Sequence, residues 1–150
     1  MANTYSNCYY HLVFSTKDRQ QFIVPEIEER VWAYIGGVSR KHGFTAIRVG
    51  GMPDHAHSLI GAPPKASPSD IAQRIKGDSS YWMRREFPQL ANFAWQDGYG
   101  VFTVSKSAVP AVVDYIRNQK THHQNRSFED EYIELLRLHE IEYDERYLFG

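Results

Sequence analysis

Phe44 to Ala62 read FTAIRVGGMPDHAHSLIGA. Two short apolar runs flank a cluster of turn formers, which predicts a pair of strands, FTAIRVGGM and DHAHSLIGA, with Gly50-Gly51 as the bend between them. Side chains in a strand alternate faces. In the second strand His55, His57 and Leu59 therefore share one face, and Ala56, Ser58 and Ile60 share the other. Two imidazoles stand side by side on one surface of a sheet.

Upstream, CYYHLVFST (Cys8 to Thr16) carries bulky residues in both alternating sets, as a central strand covered on both faces does. PEIEERVWAYIGGVSRKHG follows with Ile27, Val31, Tyr34, Ile35 and Val38 at helical spacing, Pro25 in the first turn and Gly43 as the stop. Gly36-Gly37 weakens this helix in its middle. Downstream, Ser67 caps a helix with Ile71, Ile75 and Trp82 on its stripe, ended by Pro88. NFAWQDGYGVFTVSK reads as a hairpin around Asp97-Gly98. SAVPAVVDYIRNQKTHHQ reads as one helix with Ser107 as its cap. SFEDEYIELLRLHEI reads as a last helix capped by Ser127, with Phe128, Tyr132, Leu135, Leu136 and His139 as its stripe. The first six elements match the split βαβ plan, an α+β, ferredoxin-like antiparallel sheet with two helices on one face. The C-terminal helices are available to cover the other face.

The chain has 150 residues, 42% of them hydrophobic, enough for one domain over residues 1–150 with a real core. A formal net charge of -1 excludes a global basic field, so any nucleic-acid surface must be local. The single cysteine, Cys8, excludes an internal disulfide. With no targeting pattern at the start, that points to a reducing cytoplasm. No apolar run approaches the ~18 residues that span a bilayer.

Tyr115 and Gln119 lie four residues apart, so they stack on one face of the predicted helix. If that helix crosses the bare face of the sheet, they meet His55 and His57. Two neutral imidazoles and an amide oxygen make three ligands for a divalent cation and leave positions open, as a catalytic site does. This set carries no charge of its own, which an anionic phosphate would supply. A metal that polarises a phosphate oxygen then lets the Tyr115 phenol attack phosphorus and form a phosphotyrosine.

His-apolar-His on a strand, followed by Tyr-x-x-x-Gln on a later helix, resembles the HUH single-tyrosine transposases of bacterial insertion sequences, including the REP-associated tyrosine transposases. The similarity runs over nearly the whole chain, through YHLVFSTKDRQ, PDHAHSLI, PPKASPSDIAQRIKG, WQDGYGVFTVS and VVDYIRNQKTHH. It implies that His55 and His57 bind the metal, Mg²⁺ or Mn²⁺, with Gln119 as third ligand. It also implies that Tyr115 attacks single-stranded DNA near hairpin ends, giving a 5′-phosphotyrosine and a free 3′-OH. The active unit would be a homodimer. Ala56 stands where a larger aliphatic residue is usual and Ser58 where Leu is common, which implies looser packing beneath the site.

Two other functions compete: a metal phosphodiesterase that uses water, and a binding module without catalysis. His122 and His123 could replace or supplement Gln119, but a polar helix end is the preferred reading for them. Asp54 could orient one imidazole, and His11 is a packed or DNA-facing residue. For DNA, the basic candidates are Lys17, Arg19, Lys65, Arg74, Lys76, Arg117 and Lys120. Glu129, Asp130, Glu131 and Glu134 make the last helix a poor DNA surface and a better solvent or partner face.

Overall fold

A computed structural model describes residues 3–149. Met1, Ala2 and Gly150, at the ends of the expected domain, lie outside the described residues. The strands are β1 (Cys8–Ser15), β2 (Thr45–Met52), β3 (His55–Ala62) and β4 (Gly100–Val104). They form one antiparallel sheet in the order β2-β3-β1-β4, the ferredoxin-like arrangement. Helices α1 (Pro25–Lys41) and α2 (Pro68–Glu86) cover one face. Their stripes, Ile27, Val31, Ile35 and Val38 against Ile71, Ile75 and Met83, close over Leu12, Phe14, Ala56 and Ile60 of the sheet. Each fully buried Ile or Leu contributes roughly 1.5–3 kcal/mol, so this layer fixes the strands on which the other face is built. The Ser67 hydroxyl accepts from the Asp70 amide, as a helix cap should. Among the described residues no helix is long and apolar enough to cross a membrane.

The second face is covered by α3 (Val109–Arg117), α4 (Gln119–His122) and α5 (Phe128–Leu138). Leu59, Val109 and Ile116 form one apolar cluster there, and Val13, Phe102, Phe128, Tyr132, Leu135 and Leu136 form another. The two imidazoles project from β3 into the polar gap between these clusters. The Ser127 hydroxyl accepts from the Asp130 amide and starts α5.

Three local expectations are corrected. Gly50-Gly51 is not the bend. Both glycines lie inside β2, and the turn falls at Pro53-Asp54. They are small because the backbones crowd: a Cβ on Gly51 would lie 2.2 Å from the His55 carbonyl oxygen, and one on Gly50 would lie 3.1 Å from Ile116 Cγ2 of α3. The Asp97-Gly98 hairpin does not form either. β4 pairs with β1, while Trp95 bridges Thr16 alone and buries its ring against Phe14 and Phe93. Finally, the Tyr115–Gln119 helix is two helices. It breaks at Asn118, at φ -98° and ψ 24°, and the Ser107 side chain does not cap it, its hydroxyl contacting Ser105 instead.

Candidate active site

β3 is flanked by β1 and β2, which buries His55 and His57 completely. Each imidazole is gripped at Nδ1. His55 Nδ1 donates to Asp54 Oδ1 at 2.7 Å, in the turn before its own strand, and His57 Nδ1 lies 2.8 Å from His11 Nε2 on β1. Both rings therefore present Nε2 to one point, their centroids 5.1 Å apart. His11 is buried as well, and desolvation, with His57 beside it, holds its pKa down at about 3. Neutral imidazole suits that contact, because it can either give or take the shared proton.

The Asn118 break keeps Tyr115 and Gln119 on the same site. Gln119 Oε1 is 2.8 Å from His55 Nε2, and the Tyr115 ring sits 5.8 Å from that of His57. The residue at which these groups converge is Glu131 of α5. Its Oε1 accepts from His57 Nε2 at 3.0 Å and lies 3.3 Å from His55 Nε2. Its Oε2 accepts from Gln119 Nε2 at 2.9 Å and from the Tyr115 hydroxyl. Glu131 is fully buried, so the acidic start of α5 is not wholly a solvent face, and the site is not without charge of its own. His123, read above as a polar helix end, is buried here too, with Nε2 3.1 Å from Glu131 Oε1. His122 stacks on the Tyr115 ring at 4.6 Å.

The charges follow from these contacts. Burial opposes ionisation of His55, but the hydrogen bonds and charges of Asp54 and Glu131 win and raise it to about 9. Burial also lowers His57, which stays neutral. Burial alone would raise the Glu131 carboxyl, yet the imidazoles around it hold it well below the usual carboxylate range. Desolvation first, and the Glu131 carboxylate second, push the Tyr115 phenol above its ordinary value, so it keeps its proton.

These directions predict a stability optimum in chelator-treated protein. His55, raised on folding, contributes fully below its unfolded value near ~6.5, and the contribution is lost as pH rises through about 9. The loss is on the order of 3 kcal/mol. His11, lowered on folding, contributes above ~6.5, and that stability is lost as pH falls toward about 3. Melting curves at pH 5, 6.5 and 9 should show the highest midpoint at 6.5; a midpoint that climbs from 6.5 to 9 would refute the His55 assignment.

His55 and His57 nitrogens and a Glu131 oxygen lie within 4.8 Å of one another, which fits a divalent cation. Adjacent ligands on an octahedral ion with ~2.1 Å bonds stand about 3 Å apart, close to the 3.0 and 3.3 Å found from Glu131 to the imidazoles.

The family model for IS200-like transposases matches residues 4–119. The chain belongs to that family. The transposase is 30% identical over 115 residues to the ISDra2 transposase TnpA of Deinococcus radiodurans, covering 73% of this chain and 82% of that one. It is 32% identical over 124 residues to the IS200 transposase of Salmonella typhimurium, covering 79% and 81%. A crystal structure from Deinococcus radiodurans R1 superposes with a TM-score of 0.66 at 29% identity, over 79% of this chain and 95% of that one. A REP-associated tyrosine transposase solved with a REP hairpin shares the fold, with a TM-score of 0.60 at 17% identity over 83% and 73%. Glu131 and His123 lie beyond the matched span.

The basic candidates of the transposase do not gather in one place. Arg117 pairs with Asp114 and Lys120 with Glu28, and both line a cleft of about 350 Å³ beside Gln119. Lys76 is spent on the carbonyls of Gln96 and Gly98, and Arg19 on that of Phe149. Lys17, Lys65 and Arg74 are exposed and have no carboxylate partner among the described residues.

Proposed function

We propose that this transposase cleaves and rejoins single-stranded DNA at hairpin-marked ends, through a 5′-phosphotyrosine on Tyr115 and with a divalent ion, Mg²⁺ or Mn²⁺, held by His55, His57, Glu131 and Gln119. The observation that carries the reading is the convergence of both imidazoles, the amide and the phenol on one buried carboxylate within a single chain. Tyr115 is the partly exposed member of that set. It opens onto a groove of about 410 Å³ bounded by Phe102, Val112, Leu135 and His139, through which a strand reaches the phenol.

The steps use the groups as they stand. Glu131 Oε2 accepts the phenolic hydrogen bond and orients the hydroxyl, and Tyr115 Oη bonds to phosphorus as its proton passes to water. The bond from phosphorus to the 3′ oxygen breaks, and that oxygen takes a proton from water to become a 3′-OH. The ion, when bound, supplies positive charge that polarises the phosphate and offsets the forming phenolate. Asp54 and His11 hold the imidazoles in place throughout. Reversal with a new 3′-OH rejoins the strand, because the phosphodiester energy is kept in the tyrosine ester. Each protomer of the expected homodimer carries the full donor set, so Tyr115 can act on its own imidazoles. A protein of the same fold has been solved holding a REP hairpin, which supports the choice of substrate.

The test is incubation with labelled hairpin oligonucleotides bearing single-stranded flanks, with Mg²⁺ or Mn²⁺ and with EDTA. A denaturant-resistant protein–DNA adduct that needs the ion is expected. Cleavage without adduct would point to a water-using phosphodiesterase, and binding without cleavage to a non-catalytic module.

A further inference from the structure

His123 lies just past the short helix α4, outside the expected ligand set, with its side chain only 5% exposed. Its Nδ1–H donates to the Arg126 carbonyl at 2.7 Å. Neutral imidazole carries one donor and one acceptor nitrogen, so this bond leaves a lone pair on Nε2. That nitrogen is buried, has no hydrogen-bond partner, and lies 3.1 Å from Glu131 Oε1. Two lone-pair atoms at that distance in a desolvated site repel unless a positive centre sits between them. The ring is 4.6 Å from that of His55, and its Nε2 approaches the same Glu131 oxygen, Oε1, that the His55 and His57 Nε2 atoms approach.

We propose that His123 is a third imidazole donor to the divalent ion, joining His55, His57, Glu131 and Gln119. This rests on the metal reading above and deepens it by naming the ion class. Three imidazoles beside one carboxylate suit a borderline ion such as Mn²⁺, Co²⁺ or Zn²⁺ better than Mg²⁺, which prefers oxygen donors and keeps its waters. With His55 Nε2 given to the ion, its contact with Gln119 Oε1 opens, while Gln119 Nε2 still donates to Glu131 Oε2. The locked Nδ1 matters as much as the free Nε2: a hydrogen bond at the far nitrogen fixes the tautomer a ligand needs.

The test uses the full chain without DNA. Mn²⁺ and Mg²⁺ affinities are measured for the native protein, His123→Ala, Gln119→Ala and His57→Ala, and pulsed electron paramagnetic resonance counts imidazole nitrogens on bound Mn²⁺. Native protein should bind Mn²⁺ at least about tenfold more tightly than Mg²⁺ and show three coupled imidazoles. His123→Ala should lose about tenfold or more in Mn²⁺ affinity and show two, with a smaller loss in Gln119→Ala. Two imidazoles in the native protein, or an unchanged affinity in His123→Ala, would overturn the proposal while leaving the metal reading standing. Ion binding that survives His57→Ala, or no binding by the native protein, would bring down the metal reading and this inference together. The nitrogen count on native protein decides the matter even if a variant fails to fold.

Discussion

Replacing Tyr115 with Phe removes the covalent protein–DNA adduct and drops strand cleavage by at least about 10³-fold. The substitution deletes one oxygen. The ring stays packed against His122 and His57, and Glu131 keeps its contacts with Gln119 and His57. The lost hydrogen bond to a buried carboxylate costs about 1.5–3 kcal/mol, small enough for the protein to remain folded at ordinary temperatures. Hairpin binding and Mn²⁺ binding should be nearly unchanged, because neither uses the phenolic oxygen. The separation matters: loss of chemistry with binding intact assigns Tyr115 as the nucleophile. Cleavage that persists in Tyr115→Phe would mean that water does the work and that the phenol only lines the groove.

Glu131→Gln is expected to lower the rate of adduct formation by about 10²-fold or more and to weaken Mn²⁺ binding. Gln has the shape of Glu but one acceptor oxygen, so it keeps the contact with His57 or with Gln119, and the α5 docking surface, Phe128, Tyr132 and Leu135, is kept. What disappears is the charge. The His55 imidazolium loses one of its two anionic neighbours, the ion loses a carboxylate, and the phenol loses its charged hydrogen-bond acceptor. The pH dependence of stability between ~6.5 and 9 should flatten, since the rise in the His55 pKa depends in part on Glu131. Kinetics and melting curves of the variant check both effects. A faster Glu131→Gln enzyme would contradict the assignment: the carboxylate would then be a plug that occupies the place of the substrate phosphate.

The sequence carried the sheet and the imidazole pair plainly, because both rest on local rules. A period of two puts His55 and His57 on one face whatever lies around them, and the Ser67 and Ser127 caps need only their neighbours. The features that escaped it depend on packing. Nothing at Asn118 resembles a helix breaker, so the division between α3 and α4 left no mark. Asp97-Gly98 carries a hairpin signature, but Trp95 gains more by entering the core between Phe14 and Phe93 than by pairing with β4. Glu131 is the instructive case. Standing among Glu129, Asp130 and Glu134, it reads as one more solvated acid. Its spacing says otherwise: it lies three residues after Phe128 and four before Leu135, on the stripe that faces the sheet. A carboxylate at a position that helical periodicity reserves for the core was the available signal.

The most direct measurement is the identity of the DNA-linked residue. Adduct formed on a hairpin oligonucleotide in Mn²⁺ is digested with trypsin and nuclease, and the modified peptide is sequenced by mass spectrometry. A nucleotide 5′-phosphate on Tyr115, absent when EDTA is added, is the expected result. A phosphonucleotide on any other residue, or one that forms equally well in EDTA, would contradict the convergence of phenol and ion on which the proposed chemistry depends.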